Sequence, residues 1–137
     1  MKSVNIDGIE LKLRQIESER TSKDEGKVEY MGYDVPIYFF EPRGDEVTPA
    51  IINSIWWREF SFTAGGVVRY RKVEDIRLLN SIPEDYIPPV LMHEFAEFET
   101  QSHDFARKAA DAYAKEFLPN ERYKSFCQWT EQWERKV

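Results

Sequence analysis

Ser81-Ile82-Pro83-Glu84-Asp85-Tyr86-Ile87-Pro88-Pro89 divides the chain into two parts of opposite character. Its prolines forbid a central strand, and Pro89 suits the first turn of a helix, where its missing N–H costs nothing. Before this stretch lie runs of β-branched and aromatic residues; after it, apolar residues recur at helical spacing. Strands first and helices last predict an α+β fold, a mostly antiparallel N-terminal sheet with two or three C-terminal helices on one face.

On the strand side, Val4-Asn5-Ile6 and Ile9-Glu10-Leu11-Lys12-Leu13 alternate around Asp7-Gly8, a dipeptide that tolerates positive φ. They predict an opening hairpin. Thr21 to Lys27 has no apolar anchor and reads as an exposed loop before strand at Val28 to Tyr30 and Val35 to Phe40. Ile51 to Phe62, with Trp56 and Trp57, reads as a strand. Adjacent tryptophans face opposite sides of a strand, so at least one is open to partial exposure; one could line a substrate groove, but sheet packing explains both more simply. After Ala64-Gly65-Gly66, Val67 to Lys72 and Asp75 to Leu79 read as two short strands.

On the helix side, one helix is predicted from about Pro89 to about Glu99. Thr100-Gln101-Ser102 interrupts it, and Ser102 caps a second that runs to Phe117, where Leu118-Pro119-Asn120 stops it. A third, roughly Glu121 to Arg135, carries Phe126, Trp129 and Trp133 at a spacing suited to packing on the domain.

The length of 137 residues suits one domain, 1–137, and a composition 42% hydrophobic and 32% charged is globular. No apolar run approaches the ~20 residues of a bilayer-spanning helix, and the first residues lack a secretion signal pattern. The single Cys127 excludes an internal disulfide and multi-cysteine metal cages. It suits a reducing, cytoplasmic setting, and nothing local would activate it as a nucleophile. A net charge of −6 argues against nucleic acid. Arg69, Arg71 and Lys72 around Tyr70 read as alternation on a half-exposed strand. Neither nucleic acid nor membrane is expected as a partner.

Both histidines fall in one segment, His93-Glu94-Phe95-Ala96-Glu97-Phe98-Glu99-Thr100-Gln101-Ser102-His103. Each helical residue turns the chain by about 100°, so His93 and Glu97 project from nearly one face, with small Ala96 between them leaving room for an ion. Leu91, Phe95 and Phe98 form a neighbouring stripe that would fix this helix on the sheet. His103 shares a helix face with Ala106, Ala110, Tyr113 and Phe117, so it is expected to point inward. Alanines at 106, 109 and 110 allow the second helix to approach closely and return His103 to His93 and Glu97.

Two imidazoles and a carboxylate make a three-ligand set for Zn²⁺, or for iron or manganese, with a fourth position for water. Glu94 would then be the general base. The same residues also fit plainer roles: His93 and Glu97 as a solvated helix face, His103 as a core histidine bonded to a carbonyl or as a first-turn residue near the cap. A carboxylate-bridged di-metal site would need a Glu-x-x-His pair on each of two helices, and the sequence lacks them.

His93-Glu94-x-x-Glu97, with His103 following, resembles the HExxH helix of zincin metallopeptidases as an HExxE variant. The run-up Ile76-Arg77-Leu78-Leu79-Asn80-Ser81-Ile82-Pro83, then Val90-Leu91-Met92, is similar to the strand, proline-containing turn and ligand helix of small zincin-like domains. The resemblance covers about Val67 to Phe117. It implies a zincin-like fold, ligands at His93, Glu97 and His103, Glu94 as base and Glu99 as a weaker substitute ligand. It also implies that the strand beside the ligand helix presents its edge to an extended peptide. Glu97 replaces the family's second ligand histidine, and Thr100 stands where metzincins place a glycine. An anionic ligand weakens zinc as a Lewis acid and welcomes harder metals. The expectation is a metal-dependent, metallopeptidase-like hydrolase of a peptide or protein. The alternative is an inactive zincin-like module that binds another protein and holds no metal.

Overall fold

A computed structural model describes residues 2–134. Strands β1 (Lys2–Ile6) and β2 (Ile9–Leu13) form a separate antiparallel hairpin, turned by Asp7 and Gly8 at positive φ. The main sheet holds β3 (Ser18–Arg20), β4 (Glu25–Tyr30), β5 (Tyr33–Phe40), β6 (Ala50–Ser61) and β7 (Gly66–Leu79), in the order β3-β4-β5-β7-β6. A 3-10 turn at Glu84–Tyr86 leads into α1 (Ile87–Thr100), α2 (His103–Phe117) and α3 (Asn120–Glu134). The architecture is thus the expected α+β: strands first, three helices last. Pairing is antiparallel throughout except between β5 and β7. Arg135, the expected end of the third helix, lies outside the described residues.

Two strand assignments change. Thr21 to Lys27 is not all loop, because Glu25, Gly26 and Lys27 open β4 and pair with β5. Gly26 is buried under β3, where an added Cβ would lie 2.6 Å from the Glu19 carbonyl oxygen. Val67 to Leu79 is one strand, not two. Its alternation is broken by Glu74, which has no partner where the register shifts opposite Asn53 and Ser54, a bulge.

Val28, Val35, Ile37, Val73, Ile76 and Leu78 turn from the sheet into a core shared with Leu91 and Phe95 of α1 and Phe126 of α3. As expected, the Leu91–Phe95–Phe98 stripe seats α1 on the sheet. Tyr30 of β4 stacks on Phe95 with ring centroids 4.1 Å apart. Trp129 and Trp133 pack on this core, again as the spacing predicts. A second cluster joins Ile6 of the hairpin to Ala96 of α1 and Phe105, Ala106 and Ala109 of α2.

The sequence leaves one tryptophan open to exposure, but Trp56 and Trp57 are both exposed, so sheet packing does not account for the pair. The cause is topological: β7 pairs with β5 only over Ile76–Leu79, whereas β6 and β7 stay paired out to Ser61 and Gly66. Beyond Val73, which is buried in the core, residues 55–72 therefore run past the sheet as a two-stranded ribbon that no third strand joins.

Candidate metal centre

The site is built by a tight helix reversal. Gln101 ends α1 in the left-handed conformation (φ 58°), donating its N–H to the Glu97 carbonyl. Ser102, extended, caps α2 by accepting from the Phe105 N–H at 3.1 Å. Thr100 braces the turn, its hydroxyl donating to the Ala96 carbonyl at 2.7 Å and accepting from the Ser102 N–H at 3.2 Å. Ala96, Ala106 and Ala109 are all buried where α1 and α2 meet, so the two backbones approach closely.

That approach delivers His103, the first residue of α2, to the face of α1 that carries His93 and Glu97. Glu97 Oε2 lies 3.1 Å from His93 Nε2 and 3.2 Å from His103 Nδ1. One donor atom from each of the three residues falls within 4.8 Å of the others, the one such group of three among the described residues. Ligands at ~2.0–2.1 Å around a tetrahedral zinc stand about 3.3 Å from one another, close to both measured separations. Nitrogen and carboxylate donors also suit zinc, iron or manganese, so the residues present fit a divalent ion. Burial holds the His93 imidazole below its usual pKa against the pull of Glu97, which favours the neutral, metal-binding form. Burial, helped by Glu97, pushes the Glu94 carboxyl up to about 8.

Several predicted details are corrected. His103 does not point inward: its side chain is 62% exposed. The buried stripe of α2 is Phe105, Ala106, Ala109, Ala110, Tyr113 and Ala114, which leaves His103 and Phe117 at its margins. Ala96 faces α2 and not the ion position. Glu99 stands apart from the ligand group, accepting from the Tyr30 hydroxyl at 2.5 Å. The strand expected to offer an edge, Ile76 to Leu79, is interior, flanked by β5 and β6. The edge belongs to β6, whose Ile51 and Ile52 line the cleft that also holds His93, Glu94, Glu97 and His103. Sequence reasoning missed β6 in this role; its length of 12 residues, half of them Ile, Trp or Phe, is the available signal. Burial raises the pKa of the Cys127 thiol, which agrees with an unreactive cysteine.

No protein-family description, curated protein or solved structure matches this chain.

Proposed function

We propose that the protein is a metal-dependent hydrolase with a zincin-like ligand helix, acting on a peptide or amide bond in the cytoplasm. The observation that carries this reading is the convergence of donor atoms of His93, Glu97 and His103 within 4.8 Å of one another, with Glu94 lining the same cleft. Zinc, iron or manganese bound there would supply Lewis acidity and a water acidified toward a pKa of ~7. His93, Glu97 and His103 would hold it, through the atoms that already converge. Glu94 serves as the base: its carboxylate takes the proton of the attacking water and returns it to the leaving amine. A cation beside it offsets the burial that otherwise keeps it protonated. The free edge of β6 supports an extended substrate, since unpaired backbone groups along an edge strand accept one more strand. The lone cysteine supports a reducing compartment.

Elemental analysis of untagged protein, purified without added metal and run beside His93→Ala, tests the reading. About one zinc, iron or manganese per chain, lost in the variant, is the expected result. Glu94→Gln should then keep the metal and lose roughly 10²–10⁴ in turnover of a peptide substrate. No metal in either protein, with no thermal shift on adding zinc, would overturn the proposal and leave the inactive binding module.

A further inference from the structure

The ribbon formed by β6 and β7 sorts its residues by distance from the sheet. From Phe60 to Val68, around the turn, no residue carries a charge. Phe62 is 91% exposed, with Phe60 packed edge to face against it at 4.9 Å and Val67 exposed beside them. Immediately behind this apolar tip, Arg58 and Arg69 are cross-strand partners, followed by Trp56 opposite Arg71 and Trp57 opposite Tyr70. Strand alternation puts Trp56, Arg58, Phe60, Val67, Arg69 and Arg71 on one face, which holds three guanidinium groups and no carboxylate. Arg69 lies over the Trp56 ring, 5.5 Å from its centroid. Glu59, the ribbon's one carboxylate, is on the opposite face and accepts from the Tyr70 hydroxyl at 3.0 Å. Arg58, Arg69, Arg71 and Lys72 thus concentrate positive charge on an arm of a chain whose net charge is −6.

We propose that this ribbon docks the protein on an anionic lipid surface, its phenylalanine tip entering the interface and its arginines meeting the phosphates. An uncharged tip, then a collar of Trp, Tyr and Arg, is the order of environments met on entering a bilayer from water: apolar residues deepest, aromatic and basic ones at headgroup level. At ~3.3 Å per residue, Ser61 at the end of β6 leads Arg58 by about 10 Å, with Phe62 in the turn beyond it, enough for the tip to sink 5–10 Å while the arginines stay among the phosphates. The free edges of a two-stranded ribbon keep it from going deeper, since unpaired backbone groups are not tolerated in hydrocarbon. A single-stranded nucleic acid is the weaker fit, because stacking tracks interleave rings with cations throughout and the outermost rings here have none beside them. The mode requires no bilayer-crossing helix, and among the described residues no helix is long and apolar enough to be one. The sequence-based expectation of no membrane partner considered spans and leaders, not a hairpin tip.

Co-sedimentation of the full chain with phosphatidylcholine vesicles, with and without phosphatidylserine, tests this. Binding should require phosphatidylserine and weaken as salt rises. Arg58→Glu/Arg69→Glu should cut affinity by at least roughly 30-fold, and Phe62→Ser, fully compatible with folding at so exposed a site, by roughly tenfold. His93→Ala should bind vesicles like the wild type, which keeps this result separate from the metal centre. No pelleting with phosphatidylserine vesicles at low salt would overturn the proposal. So would binding indifferent to both tip and arginine variants, or a single-stranded oligonucleotide that binds the ribbon and that vesicles fail to displace.

Discussion

The imidazoles of His93 and His103 stand edge to face with centroids 5.0 Å apart, and Glu97 Oε2 is within hydrogen-bonding distance of both. A carboxylate only accepts, so without an ion the two facing nitrogens carry N–H, and an ion in their place would require each neutral ring in its other tautomer. Only a neutral imidazole offers a lone pair to a metal, so binding should weaken as pH falls.

Because the ligand set exists in the folded chain and not in the unfolded one, zinc should stabilise the fold by mass action. At a free concentration about 100 times Kd the gain is ~2.7 kcal/mol, roughly a 10 °C rise in Tm for a chain of this size. Scanning calorimetry should show that rise in the wild type and none in Glu97→Ala.

Ala106 is fully buried at the crossing of α1 and α2. Ala106→Leu should push the helices apart at a cost of about 1–3 kcal/mol in denaturant unfolding. The same displacement carries His103 away from Glu97, so zinc affinity measured by titration should fall although no ligand has been altered. Unchanged affinity would show that the alanine contact does not set the site.

Gln101 occupies the left-handed conformation at the end of α1, where glycine has no steric penalty. Gln101→Gly removes a side-chain bond to the Phe98 carbonyl that is exposed and of small value. A net gain of about 0.5–1 kcal/mol is expected, read as a Tm rise of a few degrees with metal content unchanged.

Asp85 accepts two bonds from Arg122, at 2.6 and 2.9 Å, tying the entrance of α1 to α3. The Arg122 guanidinium holds the Asp85 carboxyl below its ordinary pKa. A depressed folded pKa gives stability that is present above the unfolded value of ~3.9 and lost as pH falls through the folded value. Both side chains are well exposed, so Asp85→Asn should cost only about 0.2–1 kcal/mol at pH 7. Paired melts across pH should show the difference from wild type shrinking below about pH 4.

What is legible in the sequence is what local chemistry decides. Asp7-Gly8 turns a hairpin and Ser102 caps α2 through bonds to near neighbours. The convergence of His93, Glu97 and His103 is readable for the same reason, since one helix and one short turn bring them together. β3 is not readable: Ser18-Glu19-Arg20 is polar and exposed, and is a strand only because its backbone pairs with Gly26 to Val28. β7 reads as two strands because the Glu74 bulge inverts its alternation. The inward expectation for His103 fails because a first-turn residue overhangs the contact that its helix makes further along. Trp56 and Trp57 invite burial by size, and only the early end of the β5 pairing leaves them in water.

The position of β7 between β5 and β6 also dictates an order of assembly. Its antiparallel seam with β6 closes across a short turn, an event of the microsecond class, whereas Ile37 meets Ile76 only after the whole intervening chain has been gathered. The ribbon's pairing should therefore form before the parallel seam. The slow search is for the parallel seam of Ile37 to Phe40 with Ile76 to Leu79, and substitutions there should retard folding more than those at the ribbon tip.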